Sequence, residues 1–89
     1  MSGFLLVKDG NFNFNIKYSK KDNNIYVSTP ALSVNFKDYV TEMPEDVILE
    51  FKNRDFTNSM IKKLFYVLMT DIEKGKYCGK TLTRRGALI

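Results

Sequence analysis

The first half of the chain alternates apolar and polar residues at period two, and the second half changes to helical spacing. In "NFNFNIKY", residues 11–18, Phe12, Phe14, Ile16 and Tyr18 fall on one face of a strand. Asn11, Asn13, Asn15 and Lys17 fall on the other. Ahead of this run, "FLLVK" and the Asp9-Gly10 pair predict a β-hairpin, because that pair supplies the positive φ angles that a two-residue primed turn demands. "SKKDNN" predicts the next turn. "IYVST" and "LSVNF" predict two more strands, with an edge, bulge or break at Pro30, which cannot donate to a ladder. "KDYVTEMPED" reads as a loop, and the strongly apolar "VILEF" as a short strand suited to the interior of the sheet.

After "KNRDFTN" the period becomes helical. Met60, Ile61, Leu64, Phe65, Leu68 and Ile72 form one broad apolar stripe, which predicts a helix over about 58–74. Asp55 or Thr57 is placed to cap its start, and Gly75 to end it in the left-handed conformation. The last segment, "KYCGKTLTRRGALI", holds a short strand candidate at "KTLT". The expected fold class is α+β. About four antiparallel strands open with a β-hairpin, one long C-terminal helix packs on one face, and a basic tail follows. Residues 1–75 are expected to form a single domain, and 76–89 a basic C-terminal tail that docks or hangs free. Phe12, Phe14 and Ile16 belong to the core, which leaves the asparagine face uncovered.

Length and composition bound this picture. Eighty-nine residues, 44% of them hydrophobic, suffice for one small core and argue against global disorder. So small a core leaves room for support from a partner, and an apolar "GALI" end makes a homodimer one such route. The lone cysteine, Cys78, cannot form an intramolecular disulfide, which points to a reducing compartment. The opening "MSGFLLVKDG" has only a short apolar run and no basic region before it, unlike a secretory signal or a membrane span. The expectation is a cytoplasmic protein with no membrane partner.

Charge changes the picture more than composition does. The net charge is +4. Lys74, Lys76, Lys80, Arg84 and Arg85 crowd the last sixteen residues without one acid. Asp38, Glu42, Glu45, Asp46 and Glu50 occupy the middle without one cation. The basic end suits phosphate neutralisation. The Asn/Lys strip, ending in Lys20 and Lys21, offers hydrogen bonds to sugar and phosphate, with Tyr26 as stacking surface if it points outward. Its bland counterpart is a solvated face in an asparagine-rich chain, and eight asparagines fit that too.

Catalytic chemistry is thinly represented. The chain has no histidine, so the usual general base and zinc ligand are missing. Neither a G-x-x-x-x-G-K nor a G-x-G-x-x-G loop occurs, and no cofactor is expected. Glu50-Phe51-Lys52 resembles the E-x-K half-motif of the PD-(D/E)xK nucleases. That resemblance covers three residues. It implies a divalent cation held by Glu50 and an earlier acid, Asp38 or less suitably Asp46, with Lys52 orienting water.

The expected function is therefore a non-enzymatic module that binds nucleic acid, RNA or DNA, or joins a nucleic-acid-handling complex. Lys17, Lys20, Lys21, Lys76, Lys80, Arg84 and Arg85 would contact the backbone. The alternative is a small inhibitor or adaptor of a host protein, resembling in size and composition many phage-encoded modulators. It would bind through Asp38, Glu42, Glu45 and Asp46 or through the apolar C-terminus. A metal-dependent nuclease is the remote third.

Overall fold

A computed structural model describes residues 2–75 and 81–82. The chain opens with four antiparallel strands, β1 (Ser2–Asp9), β2 (Phe12–Lys21), β3 (Asn24–Thr29) and β4 (Leu32–Lys37). Two helices follow, α1 (Glu45–Lys52) and α2 (Asn58–Lys74). A two-residue strand, β5 (Thr81–Leu82), lies parallel to β1, and the sheet order is β4-β3-β2-β1-β5. The α+β class stands as expected from the sequence, with two helices in place of one. The other tail positions, among them Lys76, Cys78, Lys80, Arg84 and Arg85, lie outside the described residues.

Each antiparallel pair is joined by a two-residue turn. The first turn is Gly10-Asn11, one residue later than the expected Asp9-Gly10, because Asp9 still pairs with Phe12. Gly10 adopts φ 60, so the residue that tolerates positive φ leads the turn, as a II′ turn requires. The second turn is Asp22-Asn23 alone, with φ 51 and 65, the positive pair of a I′ turn. Ser19, Lys20 and Lys21, expected in that turn, instead prolong β2. Pro30-Ala31 is the third turn, and Thr29 Oγ1 accepts from the Ala31 N–H at 3.2 Å.

The segment expected to be an interior strand, "VILEF", is the body of α1. Several local forces outweigh its β-branched composition. Pro44 at the N-cap holds the extended entry (φ −60, ψ 150), and its carbonyl accepts from Ile48 N–H at 2.9 Å. Glu45 and Asp46 sit in the first turn and Lys52 in the last, each favourable to the helix dipole. Beyond the helix, the Phe56 N–H donates to the Phe51 carbonyl and the Asp55 N–H to that of Lys52, at 3.2 and 3.0 Å. Asp55 has φ 67. These are the paired bonds and left-handed residue of a Schellman closure. The apolar contact that accompanies it is present, since the Phe51 and Phe56 rings meet edge-on at 5.0 Å. Val47 and Phe51, four residues apart, are buried together, whereas Leu49 is 60% exposed.

Helix α2 is bounded as its pattern predicts. Thr57 accepts from the Met60 N–H at 3.2 Å, and Gly75 ends the helix at φ 70. Met60, Ile61, Leu64, Val67 and Leu68 are buried against Leu5, Val7, Ile16, Tyr18, Ile25 and Val27 of the sheet. Phe12 and Phe14 are partly buried, stacked at 5.9 Å and each edge-on to Phe56. Asp71 is the one buried polar residue among the described ones, and the Tyr18 hydroxyl donates to its Oδ2 at 2.7 Å. That bond ties the centre of β2 to the last turns of α2. Both helices cover one face of the sheet, and the strand register therefore decides what the other face displays.

Candidate nucleic-acid interface

Pairing fixes the rows of the uncovered face. Phe4, Lys17, Ser28 and Ser33 form one row across β1 to β4, and Ser2, Ser19, Tyr26 and Asn35 form the next. Leu6 with Asn15 and Lys8 with Asn13 extend it towards the first turn, and Lys21, Asn24 and Lys37 towards the second. Lys8, Lys17, Lys21 and Lys37 are all exposed, as are Asn13, Asn15, Asn35 and Ser33.

No strand position of this face is acidic. Among the chain's carboxylates, Asp9 pairs with Phe12 at the first turn, and Asp22 is in the second. Asp38, Glu42, Glu45, Asp46, Glu50, Asp55, Asp71 and Glu73 all follow β4, in the loop and helices on the other side of the chain's course. The open face therefore carries lysines and amides at its strand positions, while the eight carboxylates after β4 lie in the loop and helices. A face with lysines on β1, β2 and β4 attracts polyanions.

Two exposed aromatic side chains interrupt the polar surface. Phe4 is 52% exposed and Tyr26 43%, on the strands flanking β2. Between them lies a shallow depression of about 340 Å³, lined by Phe4, Lys17, Ser19, Tyr26 and Ser28. A second, of about 400 Å³, adjoins it and shares Lys17 and Ser28, with Asn15 and Pro30 on its far side. Lys17 stands at the join.

The structure distributes the sequence-predicted residues unevenly. Lys17 and Lys21 are on the open face. Lys20 is not: consecutive strand residues point to opposite sides, and its Nζ pairs with Asp38 Oδ2 at 3.1 Å. Of the sequence-predicted acids, Asp38 is engaged by Lys20, Glu42 and Glu45 line one shallow depression with Tyr39, and Asp46 follows Glu45 in the first turn of α1. Glu42 is exposed in the loop beside Tyr39, itself 76% exposed.

The strand implied by the nuclease resemblance is absent at its position. Glu50 and Lys52 lie on a helix, where a separation of two residues turns them to different sides, and Asp38 is bonded elsewhere. Among the described residues no group of three or more acids or cysteines gathers to hold a metal. No helix among them is long and apolar enough to cross a membrane.

Sequence reasoning missed Phe4, Lys8, Asn24, Ser28, Asn35 and Lys37 as members of the face. The signal was available in the register: once Asp9 pairs with Phe12, every even residue of β1 shares a side with the odd residues of β2. No protein family, curated protein or solved structure matches the chain.

Proposed function

We propose that this chain is a non-enzymatic, cytoplasmic binding module that contacts nucleic acid through the open face of its sheet. One observation carries the reading: four exposed lysines, Lys8, Lys17, Lys21 and Lys37, stand among asparagines and serines with no acid on the same face. Lysines supply the sequence-independent attraction to phosphate, and amides and hydroxyls supply hydrogen bonds to sugar and phosphate oxygens. The basic residues of the C-terminal segment, Lys76, Lys80, Arg84 and Arg85, add cations to the same partner in this reading.

Fluorescence anisotropy with labelled oligonucleotides across a salt series tests it. Four phosphate contacts give a slope of log affinity against log salt of about −3 on a single strand. Binding that is absent even at low salt, or is insensitive to salt, sinks the proposal. The rival reading, an adaptor that meets a basic protein through Glu42, Glu45 and Asp46, draws on the exposed Tyr39 and Leu49 near those acids. Charge reversal at the three acids separates the two: nucleic-acid binding is unaffected in the first and partner capture is lost in the second.

A further inference from the structure

The open face carries more than charge, and its two outward aromatics identify the form of nucleic acid it takes. We propose that the face binds single strands, with one base stacked on Phe4, a second on Tyr26, and the intervening backbone held by Lys17. This rests on the nucleic-acid reading above and specifies its ligand.

The geometry supports it in three ways. Phe4 lies directly across from Lys17, and Tyr26 directly across from Ser19, so the two rings flank β2 with an offset of two residues along it. Strands about 4.8 Å apart and a rise of about 3.4 Å per residue put their Cα atoms roughly 12 Å apart. That separation serves two splayed bases and keeps the rings from closing on each other. Between them, the depression sets Lys17, Ser19 and Ser28 beside the two rings, a cation and hydroxyls suited to phosphate and sugar next to apolar surface suited to bases.

Duplexes fit this face poorly. A four-stranded sheet is wider than the two-stranded ribbon that a B-form major groove admits, and the major groove of A-form RNA is too narrow for side chains to read. A duplex would offer only its phosphates and make no use of the exposed surface of Phe4 and Tyr26. A single strand turns its bases outward onto them, and stacking of this kind is tolerant of sequence. The positions of the rings matter too. Phe4 and Tyr26 are the large exposed apolar residues of the sheet's open face, whereas Tyr39, Leu49 and Tyr66 lie in the loop and helices.

The test uses the full chain and four labelled probes of roughly twelve nucleotides: single-stranded RNA, single-stranded DNA, the DNA duplex, and an abasic strand with the same phosphates. The bases should raise affinity at least tenfold over the abasic strand, in RNA or DNA or both. Phe4→Ala and Tyr26→Ala should each weaken the base-bearing strands about tenfold, which corresponds to roughly 1.4 kcal/mol, and leave the abasic strand within about twofold. Tyr26→Phe should retain binding. Circular dichroism of each variant verifies the fold, and because both residues are exposed, Phe4→Leu serves if Phe4→Ala unfolds. Equal affinity for base-bearing and abasic strands, or for duplex and single strands, overturns the stacking proposal while leaving backbone recognition standing. No binding to any probe overturns both.

Discussion

Tyr18 and Asp71 link the two layers of the molecule, and breaking that link is a direct test of how the sheet is held. The hydroxyl and the carboxyl meet at 2.7 Å with both residues almost wholly excluded from water. Tyr18→Phe deletes one oxygen and keeps the ring, so packing volume barely changes and the loss is that of the hydrogen bond. A buried bond of this kind contributes about 1–3 kcal/mol, the upper part applying where one partner is charged. In a domain of this length each kcal/mol lowers the melting temperature by about 4–8 °C. Urea denaturation followed by far-ultraviolet circular dichroism reads the same change as a shift in midpoint at constant slope. The cycle is completed in an Asp71→Leu background, which removes the carboxyl that the hydroxyl donates to. There, Tyr18→Phe should cost less than about 0.5 kcal/mol, giving a coupling of at least about 1 kcal/mol. Equal costs in the two backgrounds would refute the argument, because the hydroxyl would then be acting elsewhere. The bond also bears on the open face, since Tyr18 sits between Lys17 and Ser19, and its inward anchorage fixes their outward direction.

Other expectations follow from particular contacts. Leu49→Lys should change stability by no more than about 0.5 kcal/mol, since Leu49 is exposed on α1, whereas Phe51→Ala should cost about 3–5 kcal/mol; thermal melts of the pair separate helix from interior strand at this segment. Gly75→Ala should destabilise by about 1 kcal/mol through its left-handed backbone alone, because among the described residues an added Cβ there meets open space; Gly75→Asn, which tolerates that conformation, should lose less in the same thermal melts, and an equal loss would speak against this. Lys17→Gln should weaken single-strand binding about fivefold at 0.1 M salt and flatten the salt slope by about 0.7, while Lys20→Gln should leave both unchanged; anisotropy titrations measure the difference.

The parts of the fold that were legible in the sequence are those where one periodicity acts alone. In β2 the polar and apolar residues alternate strictly, and the helical stripe of α2 is framed by Thr57 and Gly75, so faces and ends could both be read. "VILEF" was harder because its side chains favour strands while its surroundings favour a helix. The deciding features flank the run and are not in it: Pro44 and two acids before it, and Asp55-Phe56 folding back after it. The candidate site was half visible. Asn13, Asn15 and Lys17 announce themselves, but the continuous apolar run Phe4–Val7 conceals that Phe4 and Leu6 face away from Leu5 and Val7. Only the pairing with β2 assigns them to the open side. Lys20 and Lys21 illustrate the converse, since adjacent cations that read as one basic cluster are parted by the pleat.

Backbone amide chemical-shift mapping of the full chain, titrated with a single-stranded oligonucleotide, tests the central claim most directly. The account predicts saturable shifts at Lys8, Asn15, Lys17, Ser19, Tyr26 and Asn35, with α1 and the exposed side of α2 undisturbed. Shifts confined to the loop after β4 and the two helices, with the open sheet face silent, would contradict it.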